Sequence, residues 1–249
     1  MLTVYGVVTL GALVAGVIQG MSGFAFGVIA MSFWAWVLEP QMAATLTVFG
    51  ALLGQVLGVM TVRRRFEWTL LAPFLAGGLI GLPLGVALLP RLDVNTFKFI
   101  LGTILIFWCS AMLFSSRFSR IKRGGKWADG LIGMTGGVLG GLGGFSGIVP
   151  TLWCTLRGLP KDQQRAVIQN FNLFILAITF GAYLATGLVE LAMLPMFGIV
   201  TVAMLIPVWL GARLYHAMSE VRFRQIVLSL LIVSGLSLLA ASAPALLGR

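Results

Sequence analysis

Long apolar runs alternate with short polar joints along the whole chain, and one kind of interruption occurs twice. Uninterrupted runs cover residues 41–62, 69–90, 97–115, 163–187, 190–212 and 222–247. Each is long enough to cross, as a helix, a hydrocarbon core roughly 30 Å thick. Two further apolar elements, 3–38 and 128–156, are broken midway, the first by QGMSGF and the second within GVLGGLGGFSGIVP, residues 137–150. No polar stretch is long enough to fold as a separate soluble domain, so the pattern predicts one all-α integral membrane domain over 1–249.

The second half of the pattern repeats the first. GVIQGMSGF at Gly16–Phe24 overlays GVLGGLGGF at Gly137–Phe145 with an offset of 121 residues. Pro73 falls on Pro195 at 122, and FKFILGTILI from Phe97 falls on FRQIVLSLLI from Phe223 at 126. Ordered matches at nearly constant offset point to an internal duplication, the usual build of secondary transporters. The expected units are repeat one, 1–116, and repeat two, 127–249, joined by a basic linker, 117–126.

Charge decides how the halves are oriented. If each broken element is a hairpin that re-emerges on its own side, one face collects Arg63–65, Arg117, Arg120, Lys122, Arg123, Lys126, Arg157, Lys161, Arg165, Arg213, Arg222 and Arg224. Fourteen of the 17 cations then lie on that face, with Arg91, Lys98 and Arg249 opposite. If each broken element is a single full span, the split is 9 to 8 and carries no bias. Membrane proteins retain Lys and Arg on the cytoplasmic side. The expectation is therefore two inverted repeats, each a glycine-broken re-entrant hairpin plus three transmembrane helices, with the 117–126 linker cytoplasmic and both termini outside. Around the second break, apolar stretches of roughly 12–14 residues are too short to span. The arms of the first, 3–19 and 23–38, are each about long enough to cross.

A break within a bilayer strands N–H and C=O groups at several kcal/mol each, so it persists only where protein or a water-lined cavity supplies partners. Glycine permits the turn and lets neighbouring helices approach. The second arm of each hairpin then starts with free N–H groups and the positive end of a helix dipole, and two such ends brought together suit an anion. The alternative is a continuous helix whose glycines, Gly133, Gly137 and Gly141 or Gly136, Gly140 and Gly144, form a small-residue packing face that binds nothing. The charge asymmetry argues against it.

Residues at the breaks form the candidate substrate site: Gln19, Ser22, Gly23 and Phe24 in the first, Gly143, Gly144, Phe145 and Ser146 in the second. The run QNFN adds Gln169 and Asn172, which share a helix face while Asn170 points elsewhere. Their amides and hydroxyls hold oxyanions without placing a full charge in the bilayer; interhelical hydrogen bonding is the other reading of the amide pair.

Composition narrows the function. Only 10% of residues are charged, and mean hydropathy is +1.03. The net charge of +10 sits in short loops without interleaved aromatics, so it reports topology and not nucleic-acid binding. Cys109 and Cys154 lie in apolar runs with neither disulfide nor zinc spacing, and are expected to be packing residues. No span carries a catalytic constellation or metal-ligand spacing, so no enzyme, cofactor or metal is expected. Glu39, Asp93, Asp129, Asp162, Glu190 and Glu220 fall near segment ends and His216 in a loop, leaving a coupling proton or sodium ion unassigned.

AGVIQGMSGFAFGVI, its echo GGVLGGLGGFSGIVP, and the half-closing segments GLPLGVALLPRLDVNTFKFILGTILI and IPVWLGARLYHAMSEVRFRQIVLSLLI together resemble the TauE/SafE family of sulfite, sulfonate and related organic-anion transporters. The resemblance covers essentially the whole chain, and the glycine-break residues match the family pattern position by position; Gln169 and Asn172 rest on physics alone. It implies a small, often sulfur-containing anion moved across the inner membrane. The expected function is secondary transport by alternating access, with a passive anion channel as the alternative and an intramembrane enzyme the weakest reading. Direction of transport and oligomeric state are not legible.

Overall fold

The computed structural model describes residues 2–61, 66–114, 124–214 and 220–247. The linker cations 117–123, Arg63–65 and His216 lie outside them. Among the described residues the chain is helical throughout: α1 (Leu2–Ser22), α2 (Phe26–Trp34), α3 (Pro40–Thr61), α4 (Trp68–Leu88), α5 (Val94–Leu113), α6 (Lys126–Gly143), α7 (Ile148–Leu156), α8 (Lys161–Ala185), α9 (Leu194–Leu214) and α10 (Glu220–Leu247). One-turn 3-10 segments extend α4 at Leu89–Arg91 and precede α9 at Leu191–Met193. Six of these segments, built on α1, α3, α4, α5, α8 and α9, are long and apolar enough to cross a membrane. This is a multi-pass membrane protein.

The order of lengths repeats: long, short, long, long, long. Both breaks exist. α1 ends at Ser22 and α6 at Gly143, and the residues that follow, Gly23 (φ +81°) and Gly144 (φ +79°), are left-handed, a conformation that costs an L-residue roughly 1–2 kcal/mol. Each short helix then doubles back along the long one. The Trp34 indole at the end of α2 donates to the Val8 carbonyl on α1 at 3.2 Å. At the end of α7, Trp153 and Arg157 bond Asp129 in the first turn of α6.

The arms differ in length from the sequence expectation. α1 has 21 residues and can cross, but α2 has nine, about 13 Å at 1.5 Å per residue, so the second arm of the first element does not span. In the second element α6 runs to 18 residues and α7 to nine, not two equal arms, because the helix starts upstream of the apolar stretch at Lys126.

Packing couples the halves by exchange. α6 lies on α4 and α1 lies on α9. Gly77, Gly81 and Gly85 of α4 sit against the carbonyls of Gly130, Met134 and Val138, and Gly133, Gly137 and Gly141 of α6 against those of Phe74, Gly78 and Leu82. Numbering rises together, so α4 and α6 run parallel and in backbone contact. Gly16 meets Met204 and Pro207, and Gly20 meets Val208 and Ala212, so the numbering rises together and α1 and α9 are parallel too. By contrast α3 and α8 run antiparallel: Thr45, near the start of α3, donates to the Leu188 carbonyl just past α8, and Phe49 meets Phe180 at 5.8 Å between ring centroids. α5 and α10 cross at Gly102 and Gly235, also with opposed numbering, since Leu105 and Ile106 meet Gly235 while Gly102 meets Leu239.

The glycine run therefore does both things the sequence suggested. Gly133, Gly137 and Gly141 form a packing seam, and Gly144, the last of the other row, ends the helix.

Candidate functional site

The two breaks lie together between α3 and α8. A side chain at Gly27, in the first turn of α2, would meet the Gly144 carbonyl at 2.7 Å and the Thr47 methyl at 3.3 Å. Gly144 itself stands against Thr47 and the Val48 backbone on α3, and Gly23 against the Gln169 amide on α8. The 121-residue offset holds in space as well as in sequence: Gly23 pairs with position 169, and Gly144 with position 48.

Their chemistry differs. At the first break the stranded donors are satisfied by the chain itself. The Ser22 hydroxyl accepts from the Phe24 and Ala25 amides at 3.3 and 3.1 Å and donates to the Ile18 carbonyl. Gln19 Oε1 accepts from the Phe26 amide at 3.0 Å, with Gln19 only 2% exposed. Gln55 on α3, buried, donates through Nε2 to the Gly23 carbonyl at 2.7 Å. Ser22 is thus a cap with its hydroxyl engaged, while Gln19 Nε2 remains a buried donor without a hydrogen-bond partner.

At the second break Gly144 and Phe145 close the end of α6 by donating to Gly140 and Leu139 at 2.9 and 3.2 Å. The N-cap of α7 is Gly147, and no side chain caps this helix. Buried Ser146 donates from its hydroxyl to Asn172 Oδ1 at 2.8 Å, which leaves the Asn172 amide nitrogen beside Gly147. Gln169 and Asn172 therefore share a face, as their spacing predicts, and serve different breaks. Asn170 is also buried.

All ten sequence-selected residues fall at the two breaks or on the face of α8 that abuts them. Phe24 reaches outward from its break, edge-on to Trp108 with centroids 6.3 Å apart, and the Phe145 ring covers Gly143. Sequence reasoning passed over Gln55 and Thr47. A single glutamine in the apolar run LLGQVLG was the available signal for the first. Nothing marks Thr47 among the threonines of its helix, yet it is fully buried beside Gly144 and its hydroxyl has no partner.

Asp129 was also passed over because it stands near a segment end. It is buried, with Arg157 Nη1 at 2.7 and 2.9 Å from its two oxygens and the Trp153 indole at 2.7 Å. These bonds fasten the open end of the second hairpin. With the offset of 121, Asp129 corresponds to Val8, the residue whose carbonyl fastens the first. Cys109 and Cys154 are buried in the core, and no cluster of metal-ligating side chains occurs among the described residues.

Comparison with known proteins gives one match. The family model described as Sulfite exporter TauE/SafE matches residues 8–238, and the chain belongs to that family, one of membrane transporters and not of enzymes. No curated protein and no solved structure matches the chain.

Proposed function

We propose, from membership of a family of anion-exporting membrane transporters as the premise, that this protein is a secondary transporter of a small anion of the sulfite and sulfonate class, working by alternating access. The observation that carries the reading is the meeting of the two helix breaks between α3 and α8. Irregular backbone at membrane depth is tolerated where it lines a site, and half-helix amino ends favour negative charge.

The halves 1–116 and 127–249 are inverted relative to one another and rock about this site. The antiparallel course of α3 against α8 supports inversion, since equivalent helices of parallel repeats would run the same way. The parallel seams of α4 with α6 and α1 with α9 fit it, each hairpin packing on the opposite half. The anion is held nearer the start of α7, whose amides no side chain caps, with the Asn172 and Gln19 amide nitrogens as further donors. The membrane is the inner membrane, with the 117–126 linker cytoplasmic.

The test is flux in proteoliposomes. Uptake of sulfite, thiosulfate, sulfoacetate and carboxylate analogues is measured under imposed proton and sodium gradients. Saturable, counter-flow-stimulated uptake of a sulfur oxyanion is expected; single-channel currents would refute a carrier and favour a passive channel. Reporter fusions are expected to place the linker in the cytoplasm and both termini outside, and a cytoplasmic carboxyl terminus would overturn inversion.

A further inference from the structure

A buried hydroxyl on a helix ordinarily closes on its own backbone. Thr103, Thr151, Thr155, Thr179, Thr186 and Thr201 each donate to the carbonyl four residues back, at 2.6 to 2.8 Å. Thr45 on α3 reaches instead across to the Leu188 carbonyl. Thr47, on the same helix and 0% exposed, does neither: its Oγ1 is closed off from solvent and has no hydrogen-bond partner. Gln19 Nε2, a second buried donor left unpaired, belongs to the first break.

Thr47 stands about two turns in from the start of the membrane-spanning α3 at Pro40. Its methyl lies 3.3 Å from where a side chain would begin at Gly27, in the first turn of α2, and equally 3.3 Å from that point at Gly144. The residue therefore touches both breaks at once, and its hydroxyl is carried by the same carbon as that methyl. Gly144 precedes Gly147, the N-cap of the uncapped α7, by three residues.

Filling space does not call for a hydroxyl here. The 121-residue offset that relates the breaks sets Thr47 against Ile168 of α8, which is 3% exposed and wholly apolar. Valine has the shape of threonine without the O–H, and a polar group left unpaired away from water is a net cost. A threonine that forgoes the carbonyl of its own helix at this point keeps a donor for something else.

We infer that Thr47 is a substrate-binding residue, its hydroxyl donating to an oxygen of the anion at the start of α7. A hydroxyl rotates to follow an oxyanion and places no charge in the bilayer. With the Asn172 amide beside Gly147, the anion is then taken between α3 and α8, the two helices that flank the breaks. The inference rests on the transport reading for the identity of the cargo, but the binding itself does not depend on transport.

Thr47→Val removes the hydroxyl and keeps the shape, whereas Thr47→Ser keeps the hydroxyl and removes the methyl. Purified protein in detergent is heated with and without sulfite, methanesulfonate or acetate at constant ionic strength, and flux of the same anions is followed in proteoliposomes. Wild-type protein is expected to gain thermal stability from at least one of these anions. Thr47→Val, at least as stable as wild type without anion, is expected to lose most of that gain and to raise the KM for flux roughly tenfold to a hundredfold, the worth of a hydrogen bond to a charged group. Thr47→Ser is expected to stay near wild type in both. Full anion stabilisation and an unchanged KM in Thr47→Val would overturn the role of Thr47 and leave transport standing. Stabilisation lost in the valine variant and kept in the serine variant, without flux in wild type, would uphold the role and overturn transport. Equal losses in both variants would trace the effect to packing and overturn the role. So would a valine variant less stable than wild type without anion, since the hydroxyl would then be bonded within the protein, and so would wild-type protein that none of the anions stabilises.

Discussion

The two helix breaks share a backbone device and differ in almost everything attached to it. Each ends a long helix at a left-handed glycine, starts a nine-residue helix and sends it back along the first. The first is closed on itself: Ser22 and Gln19 take up three successive amides, and Trp34 fastens the open end through a neutral bond to a carbonyl. The second leaves α7 without a side-chain cap and fastens its open end with a buried ion pair. On the proposed function, a small anion occupies one position at a time, and the divergence of the side chains fits one break serving as support and the other as the binding end.

The comparison is most severely tested at the turns. Gly144→Leu is expected to abolish flux, because the left-handed backbone is strained and the new side chain meets Val48 backbone as well as Thr47. Gly23→Leu is expected to abolish flux with a better yield of folded protein, since the nearest obstacle is the end of the Gln169 side chain. Flux and monodispersity by size-exclusion chromatography distinguish these outcomes; unaltered transport in both variants would show that the breaks are not the site.

Next in size is the contrast between fastenings. Asp129→Ala strands a largely buried guanidinium and is expected to cost about 3–5 kcal/mol, whereas Trp34→Phe loses one neutral hydrogen bond, about 1 kcal/mol. Denaturation of the two variants in the same detergent gives the difference, and equal losses would erase the asymmetry between the hairpins. Gln19→Leu is expected to destabilise by about 1–3 kcal/mol, the cost of leaving the buried Phe26 amide unpaired. The smallest effect belongs to Thr47→Val, which removes a buried hydroxyl without a partner and is expected to leave stability unchanged or raise it by up to about 1 kcal/mol. A drop in flux without a drop in stability there would extend the site onto α3.

Much of this arrangement was legible in the chain. The positions of both breaks follow from GMSGF and GLGGF, because only glycine tolerates the turn and a break must interrupt an apolar run. The clustering of Gln169 and Asn172 with the breaks follows from their spacing and from the cost of polar groups in hydrocarbon. The contributions of Gln55, Thr47 and Asp129 were not legible, since each looks like an isolated polar residue until its partner, far away in sequence, is known. Asp129 and Arg157 stand 28 residues apart and meet only because α7 folds back on α6.

The sequence by itself determined that the protein is helical, membrane-embedded and twice broken, because each of these is written in local hydrophobicity and glycine placement. Tertiary structure alone decided which hairpin packs on which helix, that Ser22 and Gln19 serve as caps, and that Gln169 and Asn172 reach different breaks. Those outcomes depend on contacts between residues up to 190 or so positions apart, such as Gly20 with Val208, and close backbone approach across such distances has no signature in local pattern.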